Sequence, residues 1–281
     1  MRILTWNING IRTVLQYYPW SKTKSYKVEL HFIELILLGN HHPISWNLSV
    51  LLSVGRCLIQ YMPNLIHHRP NHSFQETKIT RSKLGPDVAM IPGYDAYFSF
   101  TRVKQGYSGV VTYVRHPLTP LAAEEGITGV LHRSSPNDET PGPIGHYPSL
   151  SVSDAQILDS EGRCVILDFG FFVLFNVYFP HLSGPDRESF KSLFNSVLQC
   201  RVEALLDAGR EVIVAGDVNV CHREIDHCDP RQSCKDNELQ EFGDQPARKW
   251  LDTFLAPNGR MVDMCRKFWP ERKGMFTCKL G

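Results

Sequence analysis

The sequence predicts an α/β fold, and three consecutive segments carry this prediction. Residues 171–179 have the composition of a strand, and residues 187–206 place apolar side chains at a helical period of about 3.6 residues. Residues 211–219 begin with apolar and small residues, a pattern expected of a strand that is buried on both faces. A strand, a helix and a second strand in this order form a β-α-β unit.

Length and composition set limits on the class of protein. The 281 residues suffice for one large domain or two small ones, and 42% hydrophobic with 21% charged residues is ordinary for a soluble globular protein. The net charge of +1 excludes a global basic field for nucleic acid, although a local basic face would suffice. Eight scattered cysteines without a secretory signal predict reduced thiols in an intracellular protein. No stretch reaches the roughly 18 apolar residues of a membrane span.

The beginning of the chain predicts one strand followed by an atypical segment. Residues 2–12 read as a short strand that runs into a turn at Asn9 and Gly10, with Asn7 and Asn9 on one face. Residues 18–73 lack clean periodicity, apart from an apolar run at 28–38 that fits a helix. Their six histidines are irregularly spaced, which does not favour a metal site. We expect this segment to be an insertion within a domain.

The middle of the chain predicts two strands and a loop. Residues 93–100 alternate like a strand, and a second strand is predicted from Val110 to Val114. A glycine-bounded turn at 106–109 lies between them. Residues 133–151 contain four prolines and several small polar residues, so they predict a surface loop.

The second half predicts a hairpin and a further helix. Residues 163–169 and 171–179 are joined at Gly170, which suits a hairpin. Gly209 is a natural stop for the helix at 187–206. Another helix is predicted near Asp244, with Pro246 in its first turn. Its inward-facing side chains are expected to be Trp250, Leu251, Phe254 and Leu255.

The strongest chemical signal is the end of the strand at 211–219. Gly216 permits a turn, and Asp217 and Asn219 point the same way because residues two apart in an extended segment share a face. They project from the carboxyl end of a buried strand, where α/β sheets place their chemistry. A carboxylate beside a carboxamide can bind a hard cation or orient water. The structural alternative is a strand followed by an Asx turn.

Two other clusters contain side chains that can bind a metal ion or a phosphate. Cys221, His222, His227, Cys228 and Cys234 lie close in sequence, but their spacings fit no standard zinc finger. Residues 266–273 interleave basic and aromatic side chains, which suits either a phosphate-binding stretch or an ordinary solvated loop.

Five short motifs, weak singly, are specific in their order. They are residues 6–12 (WNINGIR), 75–78 (QETK), 106–110 (GYSGV), 176–180 (NVYFP) and 216–219 (GDVN). In this order they resemble the exonuclease III-like AP endonucleases of the endonuclease/exonuclease/phosphatase superfamily. Further stretches resemble the eukaryotic AP endonuclease 2 group in particular. These are residues 123–129, 158–163, 223–227 and 276–278. The resemblance covers residues 1–17 and 74–278.

The resemblance implies both a fold and an activity. The fold is a four-layer α/β sandwich of the DNase I-like type, in which helices flank two packed β-sheets and the active site lies at one rim. The activity is that of a DNA-(apurinic or apyrimidinic site) endonuclease in base excision repair, with 3′–5′ exonuclease or 3′-phosphodiesterase action as a second implied activity. Mg²⁺ is the implied cofactor, with Mn²⁺ as a substitute. The implied partner is double-stranded DNA with abasic sites or blocked 3′ ends, and the implied location is the nucleus. No membrane or protein partner is deduced.

The resemblance also implies roles for individual residues, position by position. Glu76 would be the principal Mg²⁺ ligand, with Asn7 in the same shell. Asp217 would position or deprotonate the attacking water with the help of Asn219, and both belong to the implied metal site. Tyr178 would contact the scissile phosphate or the leaving side. The implied substrate-binding residues are Lys78, Asn9, Arg12 and His181. This assignment agrees with the chemistry, because a divalent cation neutralises charge on a phosphodiester and a carboxylate activates water.

The sequence departs from the family pattern in two places. The chain stops at Gly281, before the aspartate-bearing strand and the serine-aspartate-histidine motif of the pattern, so we expect a single domain at 1–281 that is truncated at its C-terminal end. Residues 69–73 replace the apolar strand that normally precedes the motif at 75–78. Two alternatives therefore stay open. One is a catalytically dead fragment that at most binds DNA, and the other is a phosphatase branch acting on inositol phosphates or sphingolipid head groups.

Overall fold

Two β-sheets organise the part of the chain that the structure describes. The computed structural model describes residues 3–7, 50–53, 71–132, 142–184 and 186–274. The ten strands of these ranges are β1 (Ile3–Asn7), β2 (Val50–Ser53), β3 (Asn71–Gln75), β4 (Tyr94–Ser99), β5 (Val110–Arg115), β6 (Ala122–Glu125), β7 (Cys164–Asp168), β8 (Val173–Tyr178), β9 (Val212–Asp217) and β10 (Val262–Asp263).

Each sheet mixes parallel and antiparallel pairs. The four-stranded sheet has the order β1-β3-β5-β4, with β1 parallel to β3 and the other pairs antiparallel. The six-stranded sheet has the order β10-β2-β9-β8-β7-β6. Its first four strands are parallel, and β7 and β6 complete it as antiparallel neighbours.

Helices connect and cover the sheets. In the described ranges they are α1 (Pro86–Ala89), α2 (Val152–Asp159), α3 (Asp186–Asp207), α4 (Pro230–Asp236), α5 (Pro246–Phe254) and α6 (Met264–Phe268). None of them is long and apolar enough to cross a bilayer.

The predicted β-α-β unit is confirmed as β8-α3-β9. The two strands are parallel neighbours, with Val173 opposite Val212 and Tyr178 opposite Asp217. The helix ends two residues before Gly209, which has a left-handed φ of +75° that glycine adopts at low cost. The predicted hairpin at Gly170 is also confirmed, since β7 and β8 pair antiparallel around it.

The helix predicted near Asp244 is confirmed as α5. It begins at Pro246, where the missing amide hydrogen of proline costs nothing. Leu251, Phe254 and Leu255 are buried as expected, whereas Trp250 is half-buried. The strands predicted at 93–100 and 110–114 are confirmed as β4 and β5.

Alternation along the strands divides the apolar residues into three cores. Ile3, Val110, Val165 and Ile213 belong to the core between the two sheets, to which both sheets contribute. The outer face of the six-stranded sheet packs against α3 and α5. The outer face of the four-stranded sheet packs around Val88 of α1. Helices therefore lie outside both sheets, which is the layered sandwich that the family resemblance implied.

The atypical segment at 18–73 contributes strands to both sheets. β2 lies between β9 and β10, and β3 lies between β1 and β5. Neither strand was predicted, because residues 18–73 were expected to be an insertion and residues 69–73 to replace a strand; the structure corrects both expectations. β3 is buried along its whole length although it reads Asn-His-Ser-Phe-Gln. The helix predicted at 28–38, the turn at Asn9 and Gly10, and residues 133–141 of the predicted loop lie outside the described residues.

Residues 266–273, for which the sequence allowed either a phosphate-binding stretch or a solvated loop, form a loop only in part. Helix α6 runs through Phe268, and Arg266 is buried, with its guanidinium paired to Asp226. Phe268 and Trp269 are exposed. Because the Arg266 guanidinium is buried in an ion pair, it does not contribute to a phosphate-binding surface.

His72 in β3 makes the stability of this fold sensitive to acid. The ring stacks on Phe74, and its two buried nitrogens have no hydrogen-bond partner among the described residues. Burial lowers the pKa of His72 to about 4. Between pH 6.5 and pH 4 the unfolded chain binds a proton at this residue that the folded chain does not bind, so stability falls as the pH falls. The loss amounts to about 3 kcal/mol over this range. Denaturant melts of His72→Leu are expected to show a flatter pH dependence.

The exposed His132 provides the matched control. His132→Leu is expected to keep the pH dependence of the wild-type protein. An acid sensitivity that survives in His72→Leu would show that other groups cause it.

Candidate active site

Tyr178 and Asp217 lie side by side where two parallel strands end. They are opposite each other in the β8–β9 pair. Leu174 and Ile213, four residues earlier on each strand, belong to the core between the sheets. Because side chains alternate with a period of two, Tyr178 and Asp217 also lie on the face toward the other sheet.

Glu76 reaches the same place from the four-stranded sheet. It follows β3 directly and is 5% exposed. The Tyr178 hydroxyl donates a hydrogen bond of 2.8 Å to Glu76 Oε1. Tyr178 of the six-stranded sheet therefore binds the Glu76 carboxylate, which follows the four-stranded sheet. This contact brings Glu76 to the strand position next to Asp217.

The turn at 106–109 holds the segment that carries Glu76. The amides of Thr77 and Lys78 donate to the carbonyls of Gly109 and Ser108 at 2.9 Å and 2.8 Å. The Lys78 ammonium then lies 2.9 Å from Glu76 Oε2. A Cβ atom at Gly109 would lie 2.3 Å from Thr77 Oγ1, so this close approach requires glycine.

Backbone strain is concentrated around this cluster. Glu76, Lys78, Ser108 and Asn219 have φ values of +56°, +54°, +49° and +52°. Non-glycine residues rarely adopt this left-handed conformation, and each instance costs of order 1 kcal/mol or more. Four such residues at one rim indicate a site whose geometry is maintained by its surroundings.

Gly216 explains the glycine of the G-D-x-N motif. Its φ is +144°, and a Cβ atom there would lie 1.9 Å from the carbonyl oxygen of Val177 on β8. No other residue fits so close to the neighbouring backbone. The glycine therefore lets β9 stay paired with β8 up to Asp217.

The loop after β9 contains the Asx turn that the sequence left as an alternative. The Asn219 amide donates to Asp217 Oδ1 at 3.0 Å. Asn219 Nδ2 donates to the carbonyl of Phe179 at 2.8 Å, which leaves its Oδ1 as the acceptor end of the amide. The turn and the chemistry are compatible, because the turn orients both side chains.

The electrostatics of the rim are dominated by its carboxylates. Burial, the hydrogen-bonded Glu76 carboxylate and Asp217 together raise the pKa of Tyr178, against an opposing effect of Arg163. The phenol therefore stays protonated at neutral pH and acts as a donor. The negative charges of Glu76 and Asp217 disfavour a tyrosinate, and for the same electrostatic reason they favour a cation nearby.

Sequence reasoning missed the group that supports Tyr178 from behind. Arg163 is buried and donates to the backbone carbonyl of Tyr178 at 3.0 Å, to Glu161 at 2.6 Å and to the Tyr107 hydroxyl at 2.7 Å. Its guanidinium also lies 4.9 Å from the centre of the Tyr178 ring. Arg187 closes the network by a two-bond pair with Glu161 at 2.8 Å and 2.9 Å. The only sequence signal was the motif at 158–163, which indicated no role.

The structure brings together five of the predicted site residues. Glu76, Lys78, Tyr178, Asp217 and Asn219 form the cluster described above.

Of the other four predicted residues, two lie in the described ranges and two lie outside them. Asn7 ends β1 opposite Gln75, the residue before Glu76. His181 is exposed, three residues beyond the end of β8. Asn9 and Arg12 lie outside the described residues.

The donor set at the rim consists of oxygen atoms. Within the described ranges, no three His, Cys, Asp or Glu side chains come together as metal ligands, and this includes the cysteines and histidines between 221 and 234. The oxygens of Glu76, Asp217 and Asn219 are of the hard type that Mg²⁺ prefers, and Mg²⁺ needs few protein ligands because it retains water.

Comparison with known proteins places this geometry in a family. The model of the Endonuclease/Exonuclease/phosphatase family matches residues 4–263. The chain belongs to this family. Its members generally depend on divalent metal ions.

Named relatives agree with the group that the motifs indicated. The chain is 35% identical to DNA-(apurinic or apyrimidinic site) endonuclease 2 of Bos taurus and 33% identical to that of Schizosaccharomyces pombe. Each alignment covers 99% of this chain, but 50% and 48% of the relative. The chain therefore spans about half the length of the curated relatives it matches.

A solved structure confirms the fold. The Xenopus laevis APE2 catalytic domain is 32% identical, with a TM-score of 0.69 over 97% of this chain and 74% of that chain. The predicted DNase I-like sandwich and the predicted resemblance are both confirmed.

Proposed function

We propose that this chain hydrolyses a phosphodiester bond of double-stranded DNA at abasic sites, with Mg²⁺ as its cofactor and with action on blocked 3′ ends as a second activity. One observation carries the proposal. The Tyr178 hydroxyl bonds Glu76 of one sheet while Tyr178 itself lies opposite Asp217 of the other. Two carboxylates and a phenol thus converge at one rim of the sandwich.

The residues divide the work by their chemistry. Asp217 accepts a proton from an attacking water, a contribution of about 10²–10⁴-fold in rate for a well-placed base. Asn219 orients the Asp217 carboxylate through a hydrogen bond from its backbone N–H. The Lys78 ammonium neutralises charge on phosphate oxygens, and the protonated Tyr178 hydroxyl, which donates to Glu76 in this structure, turns to donate to a phosphate oxygen when substrate is bound.

The residues present also fit the metal that this family generally requires. Glu76, Asp217 and Asn219 would hold Mg²⁺ through oxygen atoms, and Asn7, which ends β1 opposite Gln75, is a further candidate. When bound, the cation supplies charge neutralisation at the phosphoryl and leaving oxygens. The chemistry of the donor set supports this fit, because a carboxylate and a carboxamide offer the hard oxygen atoms that Mg²⁺ prefers.

The test is an incision assay with the purified chain. A labelled duplex with one abasic site is expected to be cut in Mg²⁺ and to stay intact in excess EDTA, and the undamaged duplex of the same sequence is the control. Mn²⁺ is expected to replace Mg²⁺.

Two results would contradict the proposal. A cooperatively melting protein that shifts the duplex in a gel without cutting it would indicate a DNA-binding fragment. Phosphate release from an inositol phosphate, without incision, would indicate the phosphatase branch.

Nuclear localisation is part of the proposal and is tested by fluorescence of the tagged full-length chain.

A further inference from the structure

Lys191 is a buried lysine of α3 that reaches the loop after β9. The residue is 5% exposed, and it lies three and seven positions before Phe194 and Leu198, which are buried on the same stripe of the helix. Its Nζ donates a hydrogen bond of 3.0 Å to the backbone carbonyl of Asn219. This bond ties the helix layer to the loop that carries Asp217 and Asn219.

The bond completes the restraints on a strained residue. Asn219 has a φ of +52°, its amide donates to Asp217, and its side chain donates to the Phe179 carbonyl. Lys191 fixes the carbonyl of the same residue. Both ends of the residue are therefore held, and the orientation of the Asp217 carboxylate follows from that of Asn219.

Stability alone does not explain a lysine at this position. The Lys191 ammonium is almost wholly buried, and the partner that it reaches is a neutral backbone carbonyl. A methionine would fill the same stripe of α3 without the desolvation cost of an ammonium group. A cavity of about 210 Å³, lined by Lys191, Asn195 and Trp250 among others, has room for water at its remaining N–H groups. The protein thus retains a costly charge beside its candidate site.

We propose that Lys191 is a positioning residue for the reaction, which holds the Asn219 backbone so that Asp217 faces Tyr178 and Glu76. The inference rests on the proposed function and deepens it. A small displacement of a catalytic group costs up to about 100-fold in rate, so loss of this bond acts on kcat. The DNA-binding surface is unchanged, and KM is expected to stay within about twofold.

The test is Lys191→Met in the full chain. We expect kcat for abasic DNA to fall by about 10- to 100-fold, KM to stay the same, and the melting temperature to stay equal or rise. A residue with only a structural role would give the opposite stability result. Lys191→Leu, which also lacks a donor for the Asn219 carbonyl, carries the same expectation if the methionine variant does not melt cooperatively.

Lys249→Met is the matched control, since Lys249 is an exposed helical lysine paired with Asp244 at 3.1 Å. Its kcat and KM are expected to equal those of the wild type. An active wild type with an unchanged kcat in Lys191→Met would overturn the role of Lys191 alone. A lower kcat accompanied by a melting temperature several degrees lower would also overturn it. An inactive wild type would overturn the proposed function itself.

Discussion

Asp217→Asn is expected to slow incision of abasic DNA by about 10²–10⁴-fold, because a carboxamide cannot take a proton from water. The change keeps the size of the side chain and an oxygen acceptor for the Asn219 amide. The fold should therefore survive, and the melting temperature should stay close to that of the wild type. The measurement is single-turnover incision at saturating enzyme, which separates chemistry from binding.

Asp207→Asn is the control for a lost negative charge. Asp207 is the last residue of α3, is exposed, and pairs with Arg260 at the surface. Its incision rate should be that of the wild type. If Asp217→Asn incised at the wild-type rate, the assignment of the base would be wrong. Glu76→Gln extends the test, since it removes the charge that both Lys78 and the proposed Mg²⁺ engage.

Arg201→Met is expected to lower the free energy of unfolding by about 3–5 kcal/mol, the cost of leaving a buried charge unpaired. Arg201 has no exposed surface, and its guanidinium pairs with the equally buried side chain of Glu124. The same guanidinium donates to the carbonyl of Ile127 at 3.0 Å and lies over the Tyr147 ring. The variant would leave the Glu124 carboxylate in the interior with the Ile144 amide and Tyr147 as its remaining partners.

Urea denaturation measures this effect, and a surface pair supplies the control. Arg260→Met breaks the exposed pair with Asp207 and should cost at most about 1 kcal/mol. The double variant Arg201→Met/Glu124→Leu should recover most of the loss, because it removes both charges. A loss of less than 1 kcal/mol in Arg201→Met would show that the pair contributes little.

The sequence predicted those parts of the fold whose patterns are local. β9 and α3 were predictable because each carries its own apolar period. β3 was not, because its burial is satisfied by partners from elsewhere in the chain. Asn71 Oδ1, for instance, accepts a hydrogen bond from the Arg115 amide on β5 at 2.9 Å. Hydropathy records none of these partners.

The same distinction applies to the candidate site. Glu76 and Asp217 were predictable from short motifs in a fixed order, and the structure brings both to Tyr178. Lys191 and Arg201 lie within the apolar stripe of α3. In the sequence each is only a charged residue that interrupts the apolar period, and its partner is not indicated. Their partners, Asn219 and Glu124, are distant in sequence, so only the folded chain reveals why they are there.

The hydrogen bonds between the sheets have a consequence for how the rim responds to motion. Gln75 Nε2 donates to Asn176 Oδ1 at 2.7 Å across the interior, and Asn176 Nδ2 donates back to the Val111 carbonyl at 2.9 Å. Gln75 immediately precedes Glu76, and Asn176 lies two residues before Tyr178. These hydrogen bonds oppose a sliding movement of one sheet over the other, because such a movement would leave buried amide groups without hydrogen-bond partners. The distance between the strand ends that carry Glu76 and Tyr178 is therefore set in the interior of the molecule, one and two residues away from the reactive groups.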